Sequence, residues 1–497
     1  MKKISAKYIT LILSLTLFLY SCTKLDEEPY SAISTDQFYK TESDATAALA
    51  AAYAQLVEVY NTAGTCASDW SADQIYPRQA VGRNTLTLFT YDPNYTTQRS
   101  FTRVHESPQQ LWNSSYAGIE KANWVIAKVP EVEMAAAARD AIVGDALFLR
   151  AFYLFTLTKN FGDVIIKTEP SENIASAFLP KSPKADVYKQ IFSDLDAAAA
   201  KLPDHSAGLV KGRSSKQIAW GLHAKAALYA ENWPLALEKA EQVIKSNKFS
   251  LMSDVRDVFN VAKEDAARVE NMWAYEAESK PPAKSHQLLS LCGPPNSNGP
   301  EYGVETYGSM FAYQSFFDSF DSSDKRRQLL DTNYIDLTGK VVAQKDITPA
   351  TPHGVLVKKY MDKTSLGALG AINIPILRFP DMFLIAAEAA ARIGAPSSTA
   401  YGYINTVRKR AGLPDLTTEL SQDQFISAVL RERSWEFFGE GDRWYDLTRT
   451  NTFMQVVPLA VNEVYPVRTP QPKNRYFPIP QDEVNANDQL EQNPEWK

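Results

Sequence analysis

The sequence predicts a mainly α-helical protein of paired helices interrupted by two long loop-rich, irregular segments. Three observations carry that expectation. Apolar residues recur at intervals of three and four over much of 41–250 and again over 380–438, the spacing of helices with one buried face. Alanine-rich helical stretches stand back to back across a tight turn at 231–234. Between 66 and 110 and between 280 and 375 the period fails and Gly, Pro, Asn, Ser and Tyr take over. Loops of that length within a compact domain are functional or disordered, and their aromatics argue against disorder.

At the amino end, Lys2, Lys3 and Lys7 precede an apolar run over 9–20 that stops at Ser21 and Cys22, the pattern of a secretory signal. The run is shorter than the about 20 residues of a spanning helix, and acid follows it instead of a basic cytoplasmic flank. Leu19-Tyr20-Ser21-Cys22 resembles a bacterial lipobox, whose cysteine is diacylated and becomes the new amino terminus; Tyr20 is bulkier than that motif usually carries. On this reading 1–21 is a lipoprotein signal peptide, Cys22 is the lipidated residue, and 22–40 is an anchor and acidic tether. Two or three acyl chains hold a protein on a membrane where one does so marginally, each buried methylene contributing about 0.8 kcal/mol.

Residues 41–497 read as one large unit, because no Gly/Ser linker or charge block divides them. Its first stripe runs over 41–60 through Ala45, Ala48, Leu49, Ala52, Leu56 and Val59, with Thr41 and Asp44 as a cap. Trp112, Tyr116, Ile119, Asn123 and Ile126 mark a second helix, and Leu147, Ala151, Leu154 and Thr158 a third over 141–159. Pro183 opens a fourth at its first helical position, with Val187, Ile191, Leu195 and Ala198 as its buried face. Ser214 and Gln217 read as a capping box for a fifth, which ends near Glu231 and is followed at once by a sixth from Trp233. The pair over 219–247 resembles a tetratricopeptide unit, with Ala224, Ala227, Ala236 and Ala240 where close packing needs small residues. Helices return over 380–393, over 397–411 ending on Gly412, and over 421–438, where Ser421 and Gln424 form a cap.

The chain of 497 residues carries 52 Lys and Arg against 58 Asp and Glu. Cleavage after Ser21 would remove three lysines and no acid, moving the formal charge from −6 to −9, so a polyanion such as nucleic acid is not the expected partner. Cys66 and Cys292 are then the remaining thiols, too few for a disulfide framework, and no Cys or His pair stands at a zinc-like spacing.

Three carboxyl-terminal blocks, ILRFPDMFLIAAEAAARIG (376–394), INTVRKRAGLP (404–414) and LRERSWEFFGEGDRWYDLTRT (430–450), are followed by YFPIPQDEVNANDQLEQNPEW (476–496). With LWNSSYAGIEKANWVI (111–126), GDALFLRAFYLFTLTKNFGDV (144–164) and FDSSDKRR (320–327), they resemble the SusD/RagB family of surface nutrient-binding lipoproteins of Bacteroidota, in order along the chain. The resemblance implies a SusD-like fold, with tetratricopeptide-like helices mainly within 41–250, variable binding loops at about 66–110 and 280–375, and family motifs over 376–497. It implies no catalysis and no cofactor. The implied partners are an oligosaccharide, or a peptide in some members, and an outer-membrane TonB-dependent transporter of the SusC type, over which the protein acts as a lid. Asp26-Glu27-Glu28 resembles the signal that sends such lipoproteins to the cell surface, with Leu25 intervening after Lys24.

The charged block around Glu432, Glu436, Glu440 and Asp442 invites comparison with a carboxylate-pair hydrolase, which needs one carboxyl with a raised pKa. Each acid here has arginines beside it, which act the other way, so a buried Arg/Glu lattice joining 421–438 to Arg378, Glu388, Arg408 and Arg410 is expected. A hydrolase on a helical scaffold and a peptide-binding family member stand as alternatives; in the latter Arg78 and Arg83 would contact carboxylates. No nucleophile elbow, Walker loop or HExxH helix occurs. Sugar binding asks for exposed aromatic faces with Asn, Asp, Arg and Gln reaching hydroxyls, groups that belong on loops. Those loops supply Trp70, Tyr76, Arg78, Arg83, Asn84, Tyr91 and Tyr95, then Asn296, Asn298, Tyr302 and Tyr307. Trp112, Trp124, Trp220 and Trp435 lie on helical stripes and are expected in the core.

Overall fold

Thr41 opens α1 (Glu42–Tyr53) with a reciprocal capping box, its hydroxyl accepting from the Asp44 amide while the Asp44 carboxylate accepts from the Thr41 amide at 2.8 Å. The computed structural model describes residues 38–497 apart from 61–62, 79–84, 96–106, 279–284, 295–301, 304, 348–353 and 466–468. Cys22, with the signal and tether residues around it, therefore lies outside the described residues. The stripe expected over 41–60 breaks at Ala54 and resumes as a short helix over Leu56–Tyr60, keeping Leu56 and Val59 buried.

The helices that follow form a layered array within the unit Thr41–Lys497. They are α2 (Pro108–Lys128), α3 (Ala136–Phe161), α4 (Lys184–Lys201), α5 (Lys216–Tyr229) and α6 (Trp233–Lys245). Each packs against the next in sequence, and α1 lies on both α2 and α3. The array does not end at 250. It continues through α7 (Phe379–Ile393), which packs on α6, then α8 (Ser398–Ala411) and α9 (Gln422–Glu436). Gly412 closes α8 in the left-handed region at φ 86°, a conformation that costs an L side chain more than glycine. Gly118 lets α2 approach α3, since a Cβ there would sit 2.3 Å from the Tyr153 ring.

Helix α3 is long and apolar enough to cross a membrane, yet 94% of its apolar window is buried inside the protein. Its polar residues are matched, as burial requires. Arg150 forms a bidentate pair with Asp194 at 2.7 and 2.8 Å and also donates to Asn123 and the Thr168 carbonyl. Asp145 accepts from the Tyr53 hydroxyl at 2.6 Å and from Ser214 and Arg213. That use of Ser214 shifts the cap of α5 by one residue: Ser215 accepts from the Ile218 amide, while Gln217 bonds back to the His205 amide at 2.7 Å and to Asp204. Pro183 likewise sits at the N-cap of α4 rather than inside it.

The strands are short and pair in twos, all antiparallel. β1 (Ile75–Pro77) pairs with β3 (Met310–Ala312), β2 (Asn271–Tyr275) with β8 (Ile374–Arg378), β4 (Leu330–Asp331) with β7 (Leu356–Val357), and β5 (Asn333–Ile335) with β6 (Val341–Ala343). An Ala312–Val355 bridge joins β3 to the start of β7, giving the order β1-β3-β7-β4.

Candidate functional site

The pairing of β1 with β3 brings the two predicted loop regions to one rim. Beyond the strand ends, the Arg78 amide donates to the Ser309 carbonyl at 2.8 Å. The chain over 307–309 runs against 290–293, with Tyr307 N to Ser290 O at 2.8 Å and Ser309 N to Leu291 O at 2.9 Å. Arg78 is half-buried there, and Tyr307, 42% exposed, donates its hydroxyl to the exposed Glu305 carboxylate at 2.6 Å. Pro77 ends β1 where it has no amide to contribute to the ladder.

Most of the aromatics expected on this face lie beneath it. Tyr76 packs on Tyr313 at 4.7 Å between ring centroids, with Phe311 and Tyr465 around it, and the Tyr465 hydroxyl donates to the Pro77 carbonyl at 2.9 Å. Trp70 is fully buried, its carbonyl accepting from the Thr87 hydroxyl at 2.7 Å. Tyr91 stacks near Phe477 and Trp496 and accepts from Asn474 at 3.1 Å, and Tyr95 donates to the Pro478 carbonyl at 2.8 Å. Tyr302 is buried, and its carbonyl accepts from the Asp362 amide. Burial pushes the phenols of Tyr76, Tyr91 and Tyr95 up, so they remain protonated donors. Trp70, Tyr76, Tyr91, Tyr95 and Tyr302 are all buried and thus offer no ring face to a ligand; Tyr76, Tyr91 and Tyr95 are folded onto 313, 465 and 474–496, and Tyr302 lies against 362. Arg83, Asn84, Asn296 and Asn298 lie outside the described residues. Glu305 is the partner that sequence reasoning missed; its spacing of two from Tyr307 was the available signal. Of the stripe tryptophans, Trp112 is buried, whereas Trp124, Trp220 and Trp435 are half-buried, Trp435 donating to Ser319 Oγ at 3.0 Å.

The charged block is a lattice of ion pairs. Arg378 donates to Glu270 at 2.8 Å, to Glu436 at 2.7 Å and to Glu440 at 2.7 Å. Arg326 meets Asp324, Glu432 and Glu436, Arg410 meets Glu270 and Glu436, and Arg408 meets Glu432. Lys359 donates to Glu440 at 2.6 Å and to the Phe438 carbonyl at 2.7 Å; its burial, with Arg378 nearby, lowers it to about 8. Burial alone would raise the Glu436 carboxyl, but Arg410, Arg378 and Arg326 hold it far below the usual range. A carboxyl so held cannot donate a proton near neutral pH, which removes Glu436 as a general acid. A second lattice joins Lys225, Arg433 and Arg449 to Asp381, Asp442, Asp446 and Glu388. Glu270 and Asp381 were not anticipated: each lies outside the charged block and meets it only through the fold. Among the described residues no group of three or more His, Cys, Asp or Glu is placed to hold a metal ion, and Cys66 and Cys292 are buried and not joined in a disulfide.

Residues 306–496 match the SusD family, and 24–228 match a family described as starch-binding and associating with the outer membrane. The chain belongs to the SusD/RagB family. A SusD-like protein of Formosa agariphila is 26% identical, across 92% of this chain and 94% of that one. Among solved structures, a SusD superfamily protein from Bacteroides vulgatus is 25% identical with a TM-score of 0.75, covering 92% of this chain and 100% of that one. Surface glycan-binding protein A from Bacteroides thetaiotaomicron, solved in complex with laminarihexaose, superposes with a TM-score of 0.74 at 23% identity, covering 91% of this chain and 100% of that one. The SusD-like fold accounts for the plan of this chain, a helical array on one side and paired short strands with long loops on the other.

Proposed function

We propose that the protein is a cell-surface lipoprotein that captures an oligosaccharide and delivers it to a SusC-like TonB-dependent transporter in the outer membrane. The observation that carries the reading is the β1–β3 pairing, which sets Arg78, Glu305 and Tyr307 on one rim fed by both loop regions. That rim joins a ring face to charged and amide groups, the combination that recognises a pyranose and its hydroxyls. A relative of the same fold holds laminarihexaose, which supports a glycan as the ligand class. Cys22, lipidated, anchors the protein, and Thr23 onward tethers it. The roles of Arg78, Arg83, Asn84, Asn296 and Tyr307 are to contact sugar; no residue is assigned to catalysis.

The test uses protein lacking residues 1–22 on an array of neutral and charged glycans and peptides. Saturable binding to an oligosaccharide that is recovered intact supports the reading; binding to peptides alone, or cleavage of the bound glycan, overturns it. Palmitate labelling that persists in Cys22→Ala would overturn the anchor.

A further inference from the structure

A groove of about 940 Å3 lies at the other edge of the β1-β3-β7-β4 ribbon, lined by 256–262, 322–331 and 358–364. At ordinary strand spacing, three steps separate β1 from β4 by about 14 Å, so this groove is distinct from the rim at Arg78. Its volume falls in the range of ligand sites of about 300–1,000 Å3.

The charges of the groove are not evenly spent. Each lining carboxylate is already occupied by the protein. Asp324 is paired with the buried Arg326 at 2.8 Å. Asp331 accepts from the Thr332 amide at 2.8 Å and pairs with Lys358 at 2.9 Å. Asp362, buried, accepts from the Thr364 amide and hydroxyl and from the Ala371 amide, at 2.8 to 2.9 Å. On the cationic side, Arg256 is held by Asp254 and Gln328. Arg327 and Lys363 have no ion-pair or side-chain hydrogen-bond partner among the described residues. Arg327 is also positioned: its guanidinium lies over the Phe317 ring at 4.0 Å. A guanidinium stacked on a ring keeps its in-plane N–H edge available, in the fork that fits a carboxylate or a sulfate. The groove is therefore net positive on a chain whose overall formal charge is negative, and a concave, partly apolar wall strengthens that local field.

We propose that this groove is a second ligand site that takes an acidic oligosaccharide, whose carboxylate or sulfate groups pair with Arg327 and Lys363 while Thr364, Ser322 and Asn260 meet its hydroxyls. The inference rests on the glycan-binding reading above and adds the ligand's charge.

The experiment is calorimetry on protein lacking residues 1–22 with four probes: hexagalacturonate, a sulfated carrageenan tetrasaccharide, maltohexaose and laminarihexaose. Wild type is compared with Lys363→Glu and Arg327→Gln. Lys363 is exposed and unpartnered, so its reversal leaves the fold intact, which a matched urea midpoint checks. The expected result is binding of hexagalacturonate or of the sulfated probe that weakens at least tenfold in Lys363→Glu and in Arg327→Gln, and that weakens as NaCl rises from 50 to about 300 mM. Which acidic probe binds decides between carboxylate and sulfate. Acidic probes that bind no better than neutral ones, or that bind equally to the variants, overturn the proposal. Neutral glycan bound without any acidic binding overturns it while leaving the glycan-binding reading standing; silence from all four probes together with an array that selects only peptides brings down both.

Discussion

Replacing Glu436 with Gln removes one charge from a buried lattice whose signs balance. Arg326, Arg378, Arg408, Arg410 and Lys359 stand against Glu270, Asp324, Glu432, Glu436 and Glu440, and apart from Arg408 these side chains are at most 5% exposed. The amide has nearly the shape of the carboxylate, so the substitution opens no cavity and its cost is electrostatic. Breaking a buried pair by removing one partner costs about 3–5 kcal/mol, because the remaining charge is left uncompensated. Here three guanidiniums lose a shared acceptor, yet each keeps another carboxylate: Glu432 and Asp324 for Arg326, Glu440 and Glu270 for Arg378, Glu270 for Arg410. The loss should therefore fall at the low end, about 3 kcal/mol. Urea unfolding at pH 7 reads it, against Glu495→Gln as an exposed control expected within about 0.5 kcal/mol of wild type. Glycan affinity of the folded variant should not move, since Glu436 reaches no ligand surface. A Glu436→Gln protein with the control's unfolding midpoint would refute the lattice argument, and one that also loses a measurable cleavage activity would make Glu436 a reacting group.

Trp70→Ala should cost about 3–5 kcal/mol in urea unfolding, the range for deleting a fully buried aromatic; an unchanged midpoint would mean that the ring is exposed in solution. Tyr307→Ala should leave that midpoint within about 0.5 kcal/mol and weaken neutral oligosaccharide binding about tenfold, or about 1.4 kcal/mol. Acid should destabilise the protein in two windows. Burial lowers His286 to about 4, its Nδ1 accepting from the Leu288 amide and its Nε2 bonding the Ile372 carbonyl, so stability is lost as pH falls from about 6.5 towards 4. Burial alone would raise Asp446, but Arg433 and Arg449 hold it at about 2, so a further loss runs from about pH 4 down to 2. Urea midpoints across pH 2.5 to 7 check both, and His286→Gln should flatten part of the upper window only.

The helices were legible because their signals are local. Caps at Thr41 and Ser421 and the glycine stop at Gly412 each depend on residues within one turn, and each appears where the pattern put it. The departures come from distant partners. Ser214 left the cap of α5 because Asp145, buried on α3, needed a donor, and no periodicity within 214–231 carries that demand. The Arg/Glu lattice was foreseen in kind, since alternating arginines and acids on one helix cannot all face water. Glu270, and Asp381 in the second lattice, were not, because Glu270 is brought in beside the β2–β8 pairing and Asp381 on α7.

The rim shows why composition located a region but not its contacts. A loop tyrosine is counted identically whether its ring faces solvent or the protein, and only the chain's path decides. Here the path turns the rings of Tyr76, Tyr91 and Tyr95 inward, where they serve as fasteners: Tyr91 and Tyr95 tie the segment after Thr85 to 474–496, and Tyr76 with Tyr313 and Tyr465 forms the floor under Pro77 and Arg78. That arrangement bears on function. A site built on loops binds well only if its supports lose little freedom when the ligand arrives. Rings packed against a three-residue strand pair, with the Tyr465 hydroxyl bonded to the Pro77 carbonyl, hold the backbone of Arg78 on the Ser309 carbonyl. The aromatic richness of 66–110 is therefore explained by the packing that supports the rim, and on the proposed reading recognition would fall to the few groups that the buried rings hold in place.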